Sequence, residues 1–450
     1  MIHHQRQCGR GGFPPRARHE SFLGVTPSRA RRSARLWLGA SLLLALDGET
    51  GALRWSLSLG AEPFAALLSP DERTLWVTLS QEAAVLRVDL DARRVTGRAR
   101  CGPTPWALGW SSDATRLLVT RLRGPGLCVV DASTLEPSPD APLPDVAWRG
   151  DRRLAHGVPH ALRDVLVRPG TGDAWVLHAL HTPRTAQPDL DFESTLFPAV
   201  TVVSEAAVGA PLAWMSTDSR NVPGRDGAFG DVVSGGHALA FTPDGRYALV
   251  VDRHSEDLLA IDTARRVEAT LLRPLPGHMH EGIALSDDGA TAWIDARNTR
   301  EVVVVRVRPD GEGLALDLDG APIPTTARDL MPPLLRRGQM LFHHADSAEL
   351  PLSQNFWIAC ASCHLEGRGD EHVWRFAEGP RLTPSLAGGT RGTGFLNRTA
   401  TRRTVQDFWR LIARIQGGRL SPDDPDHAAM LDALAAYVDL GIPSPVAPPV

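Results

Sequence analysis

The chain has 450 residues, enough for two or three domains. Its 43% hydrophobic and 22% charged residues are ordinary for a globular protein, and a net charge of −4 argues against a nucleic-acid or membrane-surface partner. All 48 cationic side chains are arginine, which indicates base-composition bias rather than phosphate binding. The sequence contains no run of 18 apolar residues, so we predict no transmembrane segment.

The first 35 residues are rich in Arg, Gly, Pro and His and lack hydrophobic periodicity. We expect residues 1–35 to be disordered or to reflect a mis-assigned start. The stretch Leu36 to Leu46 follows two arginines and could be the hydrophobic region of a secretory signal. The favoured alternative is that it forms β-strands, because Asp47 falls in register with a repeat.

That repeat has a period of about forty residues. Two copies of this repeat align without a gap, one beginning at Gly60 and the other 42 residues later at Gly102. The first copy contains the motifs G-A-E-P, S-P-D and L-W-V-T, and the second contains G-P-T-P, S-S-D and L-L-V-T at the same offsets. Aspartates recur at the ends of β-rich runs or in the turns of later copies: Asp47, Asp89, Asp131, Asp244 and Asp288. We expect these aspartates to be turn and strand-end residues without a catalytic role.

Each repeat supplies four short strands separated by Asp, Gly and Pro turns. A four-stranded sheet cannot bury both of its faces alone, whereas radial packing of several sheets buries them all. The sequence therefore predicts a β-propeller of six or seven blades over residues 36–322. The irregular stretches 137–160, 181–198 and 217–236 are predicted to be insertions at blade loops.

The repeat resembles the YVTN-type propellers of bacterial and archaeal envelope proteins, whose motif combines G-x-x-P, S-P-D-G and a hydrophobic strand. The resemblance covers the range 36–322 and implies the propeller fold. It implies little about function, since propellers serve both as binding scaffolds and as enzymes.

The pattern changes after the repeats. Residues 323–336 contain a Pro-Pro pair and are predicted to be a linker, and residues 337–445 to be a small all-α domain. Apolar residues at helical spacing predict a last helix over 425–440, which Gly441 and Pro443 would end.

The motif C-x-x-C-H occurs once, as Cys360, Cys363 and His364. Cysteines three apart lie on one side of a helical turn and can form thioethers to a haem, while the adjacent histidine binds its iron as the proximal ligand. The motif predicts one covalent haem c. A zinc ribbon would need a second ligand pair, and Cys101 and Cys128 are isolated. A thioredoxin-like pair would need a βαβ context, and a chance pair would not explain the flanking segments.

Those flanks resemble cytochromes c. The segment from Arg337 to Phe342 matches a G-x-x-L-F first helix, and 432–438 resembles the last helix, whose aromatic residue packs on the first. The segment 379–386 resembles the R-x-T-P-S-L loop of bacterial di-haem cytochrome c peroxidases and related quinone-cofactor maturation enzymes. The resemblance implies that Pro384 lies against the haem and Arg381 near a propionate or the distal side. Those peroxidases have a second haem motif and a distal His-Asp-Gly, which 393–400 lacks.

The sequence leaves the sixth iron ligand open. Met430 is a candidate because methionine is a common axial ligand, although a buried helix residue is the favoured interpretation. His372 is a candidate with a solvated loop histidine as its alternative. His343 and His344 are candidates that could instead complement a helix dipole. An open sixth position is a further alternative.

Polar residues of the propeller recur near the starts of its innermost strands. His237, His280 and Glu281 are predicted to face the central funnel, with Arg163 and Trp106 at comparable offsets. The favoured interpretation is polar lining of a wet channel. His178 and His181 border the insertion at 181–198 and could reach the same face.

The leading hypothesis is an exported electron-transfer cytochrome in which the propeller docks a partner or substrate. Its partner would be a redox protein or a small-molecule donor or acceptor, and it would reside in the periplasm, outside the cell or on the envelope. The first alternative is a haem-dependent oxidoreductase of peroxidase type. The second is a non-catalytic envelope-binding propeller. No catalytic residue is assigned.

Overall fold

The computed structural model describes residues 34–39, 41–124, 126–150, 154–183, 195–204, 211–216, 232–345, 350, 352–376, 379–397 and 399–445. Of the N-terminal region predicted over 1–35, residues 1–33 lie outside the described residues. The same holds for most of the insertions predicted at 181–198 and 217–236.

The described residues up to 324 form antiparallel sheets in which strands that follow each other in sequence pair with each other. Six such sheets, here called blades 1 to 6, are present in this part of the chain. Blade 1 has three strands and the others have four, with a short extra strand on blade 6. Blades 1 to 3 contain β1 (Ala34–Leu38), β2 (Leu42–Asp47), β3 (Leu53–Ser58); β4 (Pro63–Leu68), β5 (Thr74–Leu79), β6 (Ala84–Asp89), β7 (Arg94–Arg100); β8 (Pro105–Trp110), β9 (Arg116–Arg121), β10 (Gly126–Asp131), β11 (Ala141–Pro142). Blades 4 to 6 contain β12 (Val158–Val167), β13 (Asp173–His181), β14 (Leu196–Ser204), β15 (Pro211–Ser216); β16 (Gly236–Phe241), β17 (Tyr247–Asp252), β18 (Asp257–Asp262), β19 (Val267–Leu272); β20 (His280–Leu285), β21 (Thr291–Ala296), β22 (Glu301–Asp310), β23 (Gly313–Leu318), β24 (Ile323–Pro324).

The blades pack radially. The first strands of blades 2 to 6 contact one another in sequence order, which places them around a common channel. Apolar clusters fill the gaps between consecutive blades; in the first gap, Leu43 of β2 packs with Leu75 and Leu79 of β5. Equivalent clusters lie between each later pair of neighbours. The described sheets fit a β-propeller, as the repeat predicted.

The repeated Ser/Thr-x-Asp motif forms the turn between the first and second strands of a blade. In blade 2 the hydroxyl of Ser69 donates to Asp71 (2.5 Å) and accepts from the backbone N–H of Thr74 (2.9 Å). Ser111 and Asp113 repeat this arrangement in blade 3. These side chains thus form hydrogen bonds within the turn and accept from backbone N–H groups at its end, which confirms the structural role predicted for this motif.

A small, mainly helical unit follows the propeller. Its helices are α1 (Pro333–His343), α2 (Cys360–Cys363), α3 (Trp409–Leu411) and α4 (Pro425–Ala436), and a two-stranded ribbon joins β25 (Val373–Trp374) to β26 (Arg381–Leu382). Helix α1 begins inside the range 323–336 that the sequence assigned to a linker, because Pro333 occupies its first turn, where a missing N–H costs nothing. Helix α4 continues as a π-helical turn (Tyr437–Gly441), close to the predicted end of the last helix.

Helices α1 and α4 cross at close range. A Cβ at Gly338 would overlap with the carbonyl oxygen of Ala433 and the Cβ of Tyr437, so only glycine permits this approach. The rings of Phe342 and Tyr437 lie 5.5 Å apart between centroids. The aromatic contact between first and last helix is the one expected from the flanking motifs.

Candidate functional site

The C-x-x-C-H segment forms the single helical turn α2. The N–H of His364 donates to the carbonyl of Cys360 (3.0 Å), and the N–H of Ala359 donates to the hydroxyl of Ser362 (3.1 Å). Cys360 and Cys363 are half-buried and are not joined in a disulfide. Burial raises the pKa of the Cys360 thiol to about 11 and that of Cys363 well above its usual range, so both are neutral thiols at pH 7.

The loop predicted to lie against the cofactor orients His364. Its Nδ1–H donates to the carbonyl oxygen of Pro384 at 3.0 Å. Burial lowers the pKa of His364 to about 4, so the imidazole is neutral at physiological pH. A neutral imidazole whose Nδ1 is engaged presents Nε2 to a metal, and such outer hydrogen bonds fix the ring of a metal-bound histidine. The loop is held in place because Leu386 N–H donates to Gly367 (2.9 Å).

Arg381, predicted to lie near a haem propionate or the distal side, and Met430, a candidate sixth ligand, both have contacts within the helical unit. The guanidinium of Arg381 lies 5.0 Å from the ring centroid of Phe376. Met430 is half-buried on α4 and packs against the apolar cluster between α1 and α4, which includes Leu341 and Leu431. The cofactor roles of Arg381 and Met430 stay predictions.

The three histidines considered as sixth ligands all contact the propeller. His344 Nδ1 lies 3.0 Å from Glu256 Oε1. The ring of His343 lies 6.4 Å from that of His254, and the ring of His372 lies 4.2 Å from that of His160.

The residues just after the motif close the propeller channel. Leu365 packs in a cluster with Trp106, Leu122 and Ala161. Glu366 next to it accepts hydrogen bonds from Arg163 (2.7 Å) and Arg253 (3.1 Å). Glu366 adopts a left-handed backbone conformation, with φ of 51°, that turns the chain at this point.

Glu366 belongs to a larger network of buried charged side chains. Arg253 and Arg297 donate to the two carboxylate oxygens of Glu281 at 2.9 and 2.5 Å. His237 Nδ1–H donates to the Glu281 carbonyl (2.8 Å). Burial and the neighbouring Arg253 lower the pKa of Arg163 to about 10, so it remains charged at pH 7.

Arg163, His237 and Glu281 thus meet in the funnel as predicted, but they are nearly buried there and do not line a wet channel. The funnel prediction is wrong for His280, which is buried beside the loop before β20, where its Nε2–H donates to the Pro276 carbonyl (3.0 Å). Arg253 and Arg297 were missed. They occupy equivalent places 44 residues apart, the same spacing as Asp244 and Asp288, so the repeat register could have revealed them.

Residues from five blades fasten the C-terminal unit around the channel. The contacts span blades 2 to 6 and involve both backbone and side-chain groups. They are Glu62 with Arg368, Arg123 with the Leu365 carbonyl, Arg163 with Glu366, the His254 carbonyl with Ala345 N–H, and Asn298 with Gln339. A cavity of about 50 Å³ remains at this junction, bordered among others by Arg163, His181 and Ser362.

A disulfide that the sequence analysis did not foresee joins Cys101 and Cys128, with 5.5 Å between the Cα atoms. It links the end of blade 2 to the third strand of blade 3 and is buried. The two cysteines lack motif spacing, so only the fold brings them together.

No protein-family model matches the chain, and no curated protein matches it. Among solved structures it is similar to Kuenenia stuttgartiensis hydrazine synthase, with 16% identity over 62% of this chain and 93% of that chain and a TM-score of 0.43. It is also similar to the β-propeller domain of Myceliophteria thermophila Cps50 (Swd1), with 15% identity over 57% and 71% and a TM-score of 0.41. Virginiamycin B lyase from Staphylococcus aureus gives 10% identity over 65% and 82% and a TM-score of 0.44. Likeness at this level carries no argument about activity.

The helices in the described part of the chain are all too short or too polar to span a membrane.

Proposed function

We propose that this chain is an exported c-type cytochrome that transfers electrons through one haem held by Cys360, Cys363 and His364. The observation that carries the proposal is the oriented His364 beside two unpaired, neutral thiols on one helical turn. This donor set fits a c-type haem, since two thiols can form thioethers and the imidazole presents Nε2. When bound, the haem would supply one-electron redox chemistry.

The helical unit supports the same proposal. The close crossing at Gly338 and the contact between Phe342 and Tyr437 join the chain before the motif to the last helix. Leu341 and Leu434 complete an apolar cluster beside α2 that includes Cys360 at its edge. This packing covers one side of the motif.

The chain's own residues also fix the site to the propeller. Arg163 and Arg253 hold Glu366, two residues after His364, in a nearly buried position. Ser362 and His254 lie within hydrogen-bonding distance at 3.1 Å. The propeller thus covers one side of α2, and we infer that a redox partner approaches from a side that the propeller leaves open.

The disulfide between Cys101 and Cys128 supports export. Disulfides form and persist in oxidising compartments and are rare in the cytosol of mesophiles. A periplasmic or extracellular location also suits covalent haem attachment.

A second candidate function is a haem-dependent oxidoreductase. The favouring observation is that two of the candidate sixth ligands, His344 and His372, lie against propeller side chains. Of the candidates considered, Met430, His343 or an open position then remains as the sixth site. A ferric absorption and electron-paramagnetic spectrum separates the two functions: low-spin iron unaffected by peroxide or cyanide supports electron transfer, and high-spin iron that responds to them supports the oxidoreductase.

The test of the leading proposal is a haem stain on the denatured chain after co-expression with a c-type maturation system. Cys360→Ala and Cys363→Ala should each weaken or abolish the covalent stain. The double variant Cys101→Ala/Cys128→Ala is the matched control, because it removes two cysteines outside the motif and should keep the stain. An unstained wild-type chain would refute the proposal.

A further inference from the structure

Three histidines converge where the propeller meets the helical unit. His160 lies on β12, His181 at the end of β13, and His372 in the segment that follows the C-x-x-C-H motif. One ligand nitrogen from each lies within 4.8 Å of the others. The ring centroids of His160 and His372 are 4.2 Å apart, and those of His181 and His372 are 5.1 Å apart.

The strand register explains why two of them meet. His160 pairs with Ala179, and Val158 pairs with His181, in the antiparallel ladder of β12 and β13. Residues two apart on a strand share a face, so His160 and His181 are diagonal neighbours on one face of the sheet. His178 falls on the other face, where its Nε2 bonds to Thr201 (2.8 Å).

Two of the rings carry buried nitrogens without a partner among the described residues. These atoms are Nε2 of His160 and Nδ1 of His181. His160 is 5% exposed and His181 is 1% exposed, so neither nitrogen is compensated by solvent. Burying an unpaired polar atom is unfavourable, and each such atom in a native structure calls for an explanation. Burial and the neighbouring rings keep the pKa of both imidazoles well below the usual range, so both are in the neutral form that metals bind.

Asp370 fixes the turn that carries His372. Its carboxylate accepts from Trp374 Nε1 (2.7 Å) and from the backbone N–H of His372 (3.0 Å). The ring of His372 is thereby presented to the propeller from an ordered turn of the helical unit.

We propose that His160, His181 and His372 bind a divalent transition-metal ion of the zinc type, and that this ion fastens the helical unit to blade 4. Imidazole nitrogens are the ligands that zinc and copper prefer, and three of them with one water form a familiar set. A tetrahedral ion holds ligands about 3.4 Å apart at bonds of about 2.1 Å, so small ring rotations would close the site. His181 also borders the cavity at the junction, which leaves room for a water as fourth ligand.

A second cluster of Glu256, His278 and His344 does not carry the same inference. There Glu256 Oε1 lies 3.0 Å from Nδ1 of both histidines. This cluster therefore contains a carboxylate that can accept from both rings, whereas the members of the three-histidine cluster are all imidazoles.

The experiment counts zinc on the full chain with its native haem content. The protein is stripped with a chelator, dialysed against buffered Zn²⁺, and analysed by plasma mass spectrometry, which separates zinc from iron. Binding affinity is measured by calorimetric titration. We expect one zinc per wild-type chain, and neither bound zinc at this site nor stoichiometric binding in the titration for His181→Ala or His372→Ala.

Matched controls isolate the site. His178→Ala changes a histidine of the same strand on the opposite face, and His278→Ala disrupts the second cluster, so both should keep the zinc. Cys360→Ala should also keep it, which separates this inference from the haem proposal. Equal zinc content in wild type, His181→Ala and His372→Ala would overturn the inference.

A measurement on wild-type protein guards against variants that fail to fold. With one equivalent of Cu²⁺, the electron-paramagnetic spectrum should show superhyperfine splitting from several nitrogens, separate from any haem signal. A copper spectrum with oxygen ligands only, or no stoichiometric copper, would contradict the site.

Discussion

Arg163 donates a 2.7 Å hydrogen bond to the carboxylate of Glu366, a residue 203 positions later in the chain. The two side chains are 5% and 12% exposed, so the ion pair is largely removed from water. Arg253 donates to the same oxygen from the next blade. This contact ties the segment after His364 to the wall of the propeller channel.

Replacing Glu366 should destabilise the protein strongly. Glu366→Ala leaves the guanidinium groups of Arg163 and Arg253 buried beside a missing anion, and removing one partner of a buried pair costs about 3–5 kcal/mol. Urea unfolding measures the loss. The control is Glu312→Ala, whose exposed partner Arg265 lies 3.5 Å away and whose loss should cost less than about 1 kcal/mol. Equal losses of unfolding free energy for the two substitutions would show that the buried contact contributes no more than an exposed ion pair.

The close crossing of α1 and α4 predicts whether a substitution at Gly338 stabilises or destabilises the protein. In a solvent-exposed helix, Gly→Ala stabilises by roughly 1 kcal/mol. At Gly338 the added methyl would overlap with Ala433 and Tyr437, so we expect Gly338→Ala to destabilise by about 1–3 kcal/mol. The exposed neighbour Arg337→Ala serves as control and should change the unfolding free energy by less than about 0.5 kcal/mol. A more stable Gly338→Ala protein would mean that the helices do not approach as described.

Glu256 predicts an acid-dependent loss of stability. Burial alone would raise its pKa, but hydrogen bonds from His278 and His344 outweigh burial and lower the pKa from 4.5 to about 2. A carboxyl with a lowered pKa in the folded state stabilises fully above its unfolded pKa and loses this contribution as the pH falls toward the folded one. The stability advantage of wild type over Glu256→Gln, on the order of 3 kcal/mol, should therefore shrink between pH 4.5 and 2. An advantage that is constant over this range would contradict the assignment.

The disulfide between blades 2 and 3 should contribute measurably. The two cysteines are 27 residues apart, and closing a loop of this length stabilises by about 3–4 kcal/mol in the chain-entropy model. We expect Cys101→Ala/Cys128→Ala to lower the unfolding free energy by about 3–4 kcal/mol. Reductant should then destabilise wild type but not the variant. A reductant effect of equal size in both proteins would place its origin elsewhere.

Much of the fold could be predicted from the sequence because the residues that form each turn lie close together in the chain and recur from blade to blade. The turn made by Ser69 and Asp71 recurs in later blades, and each copy forms the same hydrogen bonds. The thiol and imidazole set at Cys360, Cys363 and His364 is likewise local, since it depends on the spacing within one helical turn.

The interface could not be predicted in the same way. Arg163 and Glu366, or His160 and His372, are separated by more than two hundred residues, and no periodicity relates a propeller strand to a loop of the helical unit. Only the docking of the two units shows that His372 faces the propeller. The disulfide was missed for a similar reason, because inter-blade packing rather than motif spacing brings Cys101 to Cys128.

The most direct measurement is the intact mass of the denatured, purified chain after expression with a c-type maturation system. We expect the mass of the chain plus one haem, and the mass of the bare chain for the variant Cys360→Ala/Cys363→Ala. A wild-type mass equal to that of the bare chain, with Cys360 and Cys363 both free to react with a thiol reagent, would contradict covalent haem attachment at this site.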